Sequence, residues 1–184
     1  FQVTRNKSSH LFCLSCVRPN AKMKLTLTIL SLTAWTLTTG QSVFQITIGG
    51  TDADYPSSFY QTPEGDYVIA GGTYSYGAGF ADVYIVSIDR YGNIQWSKTY
   101  GGAERDHSYS FIHTNDGGYI SAGTSYSFGI GSPDTYIIKT DANGDTLWIR
   151  TIGGIGYSYM NSVIQLRVQT SKQVKVQIIR KQRV

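Results

Sequence analysis

The feature that most constrains this 184-residue chain is that it repeats itself at a spacing of 52 residues. Gly49 to Tyr100 aligns without a gap on Gly101 to Ile152. Both copies open on Gly-Gly and share Asp54/Asp106, Ser58/Ser110, Phe59/Phe111, Gly71/Gly123 and Asp82/Asp134. They also share Tyr84-Ile85/Tyr136-Ile137, Asp89/Asp141, Gly92/Gly144 and Trp96/Trp148. A third copy opens at Gly153-Gly154 and keeps Ser162 in register up to Gln165. A repeat of this length is one supersecondary unit that buries its apolar faces only by stacking on its neighbours.

Each unit reads as four strands divided by turn signals. In the second copy these are Ser108 to Thr114, Tyr119 to Ser125, Thr135 to Thr140 and Thr146 to Thr151. Between them lie the turn Asn115-Asp116-Gly117-Gly118, the glycine loop Phe128 to Pro133 and the tight turn Asp141-Ala142-Asn143-Gly144. Asn-Gly between β-rich runs predicts a hairpin whose two central residues both take positive φ. Val83-Tyr84-Ile85-Val86 is apolar on both faces, as in a strand covered from both sides. The 20 Gly, 14 Tyr and 15% charged residues agree with an all-β chain rich in tight turns.

Four strands per unit and a period near 50 predict β-propeller blades of four antiparallel strands in an incomplete ring. The blades are 49–100 and 101–152, with a partial blade at 153–165. Val43 to Gly50 aligns with Gln95 to Gly102, so a lone fourth strand, 43–48, precedes the first blade. Closed propellers are often latched by such a strand, and a ring needs about 4 to 8 blades. This segment is therefore expected to self-associate.

The flanks read differently. Met23 to Gly40 has Lys24, an apolar Leu/Thr run from Leu25 to Leu37, and small residues Thr38 and Gly40 before Gln41. That is the anatomy of a secretory signal peptide, too short for a comfortable membrane span, although Leu/Thr alternation also suits a strand. Residues 1–22 are then expected to be translated upstream sequence outside the fold, with the sequon at Asn6 and the pair Cys13 and Cys16. A lone Cys-x-x-Cys lacks the second pair of ligands that a structural zinc requires. After Gln165 the repeat pattern stops. Residues 166–184 have six bases and no Gly, aromatic or acid, which reads as a frameshifted end or a divergent cap whose Val174, Val176 and Ile178 alternate like a strand.

The formal charge of +4 comes from these flanks. Gln41 to Gln165 has twelve acids against Arg90, Lys98, Arg105, Lys139 and Arg150, a net charge of −7. That excess argues against a nucleic-acid partner.

Several runs carry a resemblance to a known family. Asp116-Gly117-Gly118-Tyr119-Ile120, Ser127-Phe128-Gly129-Ile130-Gly131 and Asp134 to Asp141, with Trp148 and Gly153-Gly154, resemble the repeats of large secreted propeller proteins of bacteria and archaea. The likeness covers Val43 to Gln165. It implies a propeller fold and a secreted or cell-surface location, with no membrane span once the signal is cleaved, and says little about activity.

No catalytic constellation is visible, and neither a cofactor nor an enzyme activity is expected. Asp141, Asn143 and Asp145 resemble the start of a calcium loop, but Thr146 and Ile152 stand where an EF-hand needs Gly and a carboxylate, so a hairpin turn is the preferred reading. Asp54 and Asp106, four residues before Ser58 and Ser110, are expected to bind loop amides and fix each blade crossing. His107 and His113 fall outside the repeat pattern and are expected at the surface without a triad. Gly77-Ala78-Gly79 and Gly129-Ile130-Gly131 lack the lysine and helix of a phosphate loop. Asp89…Gly92…Trp96 and Asp141…Gly144…Trp148 are similar to the docking motif of quinoprotein dehydrogenases, which implies, as an alternative, a fragment of a propeller holding pyrroloquinoline quinone and calcium. The preferred function is a non-catalytic binding or structural module whose tyrosine-rich loops, such as Tyr74-Ser75-Tyr76, meet a protein or glycan ligand.

Overall fold

The computed structural model describes residues 2–4, 13–15, 44–130, 133–154, 159–166 and 175–181. Every regular element among them is a strand. In chain order these are β1 (Gln2–Thr4), β2 (Cys13–Ser15), β3 (Gln45–Thr47), β4 (Asp54–Gln61), β5 (Tyr67–Thr73), β6 (Asp82–Ile88) and β7 (Ile94–Tyr100). They continue with β8 (Asp106–His113), β9 (Tyr119–Ser125), β10 (Asp134–Thr140), β11 (Thr146–Ile152), β12 (Tyr159–Leu166) and β13 (Lys175–Lys181).

The two complete repeats form two antiparallel four-stranded sheets, ordered β4-β5-β6-β7 and β8-β9-β10-β11. Their registers match across the repeat: Gln61 faces Tyr67 as His113 faces Tyr119. Both first strands are bulged, at Pro56/Ser58 and Ser108/Ser110. The bulge brings the first strand close against Gly71 and Gly123. A Cβ there would overlap the carbonyl oxygens of Tyr55 and His107, so these two glycines recur because the backbones touch.

The turns also recur. Thr62 and Thr114 close the first hairpins through their N–H groups on the Asp66 and Gly118 carbonyls, at 2.8 and 2.9 Å. In the third-to-fourth turns, Asp89 and Asp141 N–H donate to the Asn93 and Asp145 carbonyls, both at 2.9 Å. Here the expectation of two positive-φ residues is corrected. Only the glycines are positive, Gly92 at 92° and Gly144 at 78°, and no non-glycine residue described is. With register shifts at Ser87/Ile88 and Lys139/Thr140, these are three-residue loops ending in a left-handed glycine and a bulge, not two-residue Asn-Gly turns.

The core is layered because the middle strands are covered on both faces. All seven residues of β5, β6, β9 and β10 are buried. One face of the first sheet (Val68, Ala70, Val83, Ile85) packs with Phe111, Tyr119, Tyr136 and Ile138 of the second. Its other face (Tyr67, Ile69, Val86, Ile88) packs with Ile48 and with Phe44 and Ile46 around β3. The far face of the second sheet (Ile120, Ala122, Ile137) receives Val163 of β12.

β3 also pairs with β1, which pairs with β2, so two short segments of the first 22 residues join a three-stranded sheet. The segment 23–40, read as a signal peptide, lies outside the described residues. β12 pairs with β13 of the basic tail, and that hairpin closes at Leu166 facing Lys175. The register of the first two repeats is therefore not continued there.

Candidate binding face

Both sheets place the same loops at one end: the start of the first strand, the loop between the second and third, and the exit of the fourth. An aspartate organises each set. Asp54 Oδ2 accepts Gly50 N–H at 2.9 Å and Ser75 Oγ–H at 3.0 Å, while Oδ1 accepts Thr73 Oγ1–H. Asp106 Oδ2 accepts Gly102 N–H at 2.8 Å and Ser127 Oγ–H at 2.6 Å. Ser75 and Ser127 in turn accept Asp52 and Glu104 N–H, both at 3.0 Å. The hydroxyl partners are thus Thr73, Ser75 and Ser127. Ser58 and Ser110, suggested by their four-residue offset, sit past the bulge. Ser110 Oγ instead accepts Val163 N–H at 3.1 Å and joins the second sheet to β12. Ser75/Ser127 recur in the sequence as faithfully as Ser58/Ser110, and nothing local separates the two pairs.

A second aspartate pins each glycine loop. Asp82 Oδ2 accepts Ala78 N–H at 2.6 Å, and Asp134 Oδ2 accepts Ile130 N–H at 2.9 Å. Held this way, the loops carry aromatic rings outward. Tyr55 meets Tyr74 edge-on with centroids 5.9 Å apart, and Tyr74 meets Phe80 edge-on at 5.3 Å. Tyr76 donates its hydroxyl to the Gly49 carbonyl at 2.9 Å. Phe80 is 65% exposed. On the second sheet Tyr126, Phe128 and Ile130 are exposed at the equivalent loop, Ile130 at 73%. Such a ledge offers large apolar area at low side-chain entropy cost, because each ring is set by two torsions.

Both histidines stand between the sheets, not at the surface as expected. The His107 ring fills the space beside Gly72, where a Cβ would overlap it, and tilts against Tyr109 at 4.9 Å. Burial, helped by the charge of Arg105, lowers its pKa to about 4. His113 stacks on Tyr60 of the first sheet at 4.7 Å.

The opposite end carries the turns and the recurring tryptophans. Asp89 Oδ1 accepts Tyr91 and Asn93 N–H, each at 2.8 Å, and Oδ2 accepts Asn93 Nδ2–H at 2.8 Å. These bonds, the Asn93 side chain foremost, hold its carboxyl below the usual range. Asp141 Oδ1 accepts Asn143 and Asp145 N–H at 2.9 and 2.8 Å. Asp145 pairs with Lys98 of the first sheet. The calcium candidates Asp141, Asn143 and Asp145 are therefore engaged in closing their turn and bridging the sheets. Trp96 packs into the intersheet core beside Gly144, while Trp148 is exposed.

Lys139, read in the sequence only as one of five bases, is buried and fully engaged. Its ammonium donates to Thr114 Oγ1 at 3.1 Å, Asp116 Oδ1 at 3.0 Å and the Thr140 carbonyl at 2.8 Å. Its counterpart in the first repeat is Ser87, so the repeat pattern concealed it. Among the described residues no three His, Cys, Asp or Glu gather as metal ligands, and no helix is long and apolar enough to cross a membrane. No protein-family model and no curated protein matches the chain.

Proposed function

We propose that the two sheets are successive blades of a secreted or cell-surface β-propeller and that the chain is a non-catalytic binding module. The stacking of the sheets supports the blade reading. The first strand of each repeat lies on the preceding sheet, β8 on the first and β12 on the second. Trp96 reaches forward to the next third-to-fourth turn at Gly144, and Phe44 does the same at Gly92.

The observation that carries the binding reading is the edge-to-face series Tyr55–Tyr74–Phe80, its two ends exposed and Tyr74 half-buried between them, beside loops whose backbone is pinned by Asp54 and Asp82. A rigid, outward aromatic ledge flanked by serine and carboxylate suits a protein surface or a glycan, whose apolar patches stack on rings while hydroxyls meet the polar rim. Glycan arrays and pull-downs with the full chain, compared with Tyr74→Ala and Phe80→Ala, test it. Loss of a captured ligand in both variants with an unchanged melting temperature is expected. Equal capture by the variants, or no ligand from any array, overturns it. Export of a reporter fused behind 23–40 tests the location separately.

A further inference from the structure

Within the two repeats the ends of the sheets differ in charge. The end with the aromatic loops holds Asp52, Asp54, Asp82, Glu104, Asp106 and Asp134, half of the twelve acids, and Arg105 is the one base there. Bases gather at the opposite end, where Arg90 lies in a turn, Lys98 pairs with Asp145 and Lys139 with Asp116. β13, with its bases, lies beyond the far face of the second sheet. Asp54, Asp82, Asp106 and Asp134 are bound to loop amides. Asp52 and Glu104, one repeat apart, are exposed and held through their backbone N–H groups, on Ser75 and Ser127. Neither carboxylate has a hydrogen-bond or ion-pair partner among the described residues.

The loops of these two acids bracket the exposed rings. Beside Asp52, the Ala53 carbonyl accepts Tyr74 N–H at 3.0 Å, and beside Glu104 the Ala103 carbonyl accepts Phe80 N–H at 3.2 Å. Tyr74 and Phe80 meet edge-on at 5.3 Å. The backbone order across this end is therefore acid, ring, ring, acid. A neutral glycan stacks on rings but gains nothing from the carboxylates, and an anionic one is repelled by them. An uncharged apolar surface would strip water from both acids without pairing them. A guanidinium or ammonium uses both features at once, since ring faces attract cations and a guanidinium plane also stacks on them.

We propose that this face binds an arginine- or lysine-rich segment of another protein, its cationic heads over Phe80 and Tyr74 and against Asp52 and Glu104. This rests on the ledge being the binding face, and it narrows the ligand to a cationic protein segment. The excess of acids at that end draws a basic partner in before contact, so association is fast at low salt and slows as salt screens the field. The arrangement does not recur in the next repeat. The sequence has Ser132 where Phe80 would return and Gly156 where Glu104 would.

Fluorescence anisotropy with the full chain tests this. The probes are a labelled peptide of alternating arginine and glycine, the same peptide with neutral citrulline for arginine, and a labelled neutral cello-oligosaccharide. The arginine peptide is expected to bind with an affinity that falls as salt rises, and the citrulline peptide several-fold more weakly. Asp52→Asn combined with Glu104→Gln should lose several-fold in affinity for the arginine peptide and most of the salt dependence. Phe80→Ala should weaken binding at every salt concentration. Glu64→Gln, which removes a charge from the opposite end, should leave it unchanged. All four positions are exposed, so the melting temperature of each variant should match the wild type. Failure of the arginine peptide to bind, equal binding of the two peptides, or unchanged affinity in the double variant overturns the cationic ligand. If the oligosaccharide alone binds and Phe80→Ala abolishes it, the ledge stands and its ligand is a glycan. If the arginine peptide binds and Phe80→Ala leaves it untouched, the ledge reading falls together with this proposal.

Discussion

The ring of Trp96 stands where a side chain on Gly144 would be: a Cβ there would lie 2.7 Å from Cζ3 of the indole. The same relationship joins Phe44 to Gly92 one repeat earlier, at 2.9 Å from Cδ2. Each fourth-strand aromatic thus caps the third-to-fourth turn of the next sheet. Beside it, Tyr100 donates its buried hydroxyl to the Gly144 carbonyl at 2.6 Å.

Gly144→Ala is therefore expected to destabilise twice over, through φ of 78° and through the indole. Strain of about 1 kcal/mol from the left-handed backbone comes first. Displacement of Trp96 adds to it. Trp96→Ala, from a half-buried site, should cost about 2 kcal/mol, below the range for a fully buried Trp. In the double variant the two losses should sum to less than their separate values, because removing the ring makes room for the new methyl. Chemical denaturation of the four proteins measures this, and strict additivity contradicts the contact.

The buried ammonium of Lys139 predicts an acid-sensitive step. Burial opposes ionisation of Asp116, but hydrogen bonds from Thr114 and Lys139 outweigh it and lower the pKa to about 2. A depressed carboxylate stabilises the fold above its unfolded value, about 3.9. That contribution should be lost as pH falls from about 4 towards about 2. Asp116→Asn should be less stable than the wild type at neutral pH and should lack this step in pH-dependent melting. Lys139→Ser, which restores the Ser87 pattern, should shrink the step to the part that the Thr114 and Gly118 bonds hold.

His107 predicts a separate loss at milder pH. Its folded pKa of about 4 lies below the unfolded value, so the fold favours the neutral ring. The stabilisation is complete above the unfolded value, about 6.5. It declines as pH falls through about 6 to about 4 and then levels off. His107→Tyr, copying Tyr55 of the first repeat, should remove that decline. An identical melting profile for the variant would contradict the burial of the ring between the sheets.

β11 predicts self-association. Six of its seven residues are exposed, including Leu147, Trp148 and Ile149. An edge strand with apolar side chains offers both backbone bonds and hydrophobic area to another copy. Size-exclusion chromatography of the chain should show multimers, reduced by Trp148→Lys combined with Ile149→Lys. A monodisperse monomer at high concentration would contradict this expectation.

Sequence by itself determined the periodic part of the molecule. Strand positions and the doubly buried β6 follow from alternation, apolar runs and turn residues, which act within a few residues of one another, whereas the double burial of β5, β9 and β10 emerged only with the stacking. Tyr119–Ser125 was legible to the residue. What local pattern could not decide was which polar groups meet across the sheets. Asp54 and Asp106 were recognisable as loop anchors, but Ser75 and Ser127 became their hydroxyl partners only because the loop folds back over the first strand. The bulges carried Ser58 and Ser110 elsewhere. His107 and His113 looked like surface departures from the repeat until stacking brought Gly72 and Tyr60 against them. Lys139 was hidden because its ammonium is met by a distant turn, that of Thr114 and Asp116, besides the end of its own strand. Asp82 and Asp106 likewise both approach Gly101 only because one repeat's third strand meets the next repeat's first. Short-range sterics and hydropathy are written into each 52-residue unit. Charge and hydrogen-bond pairing between units depend on how the sheets stack, which is a property of the tertiary structure.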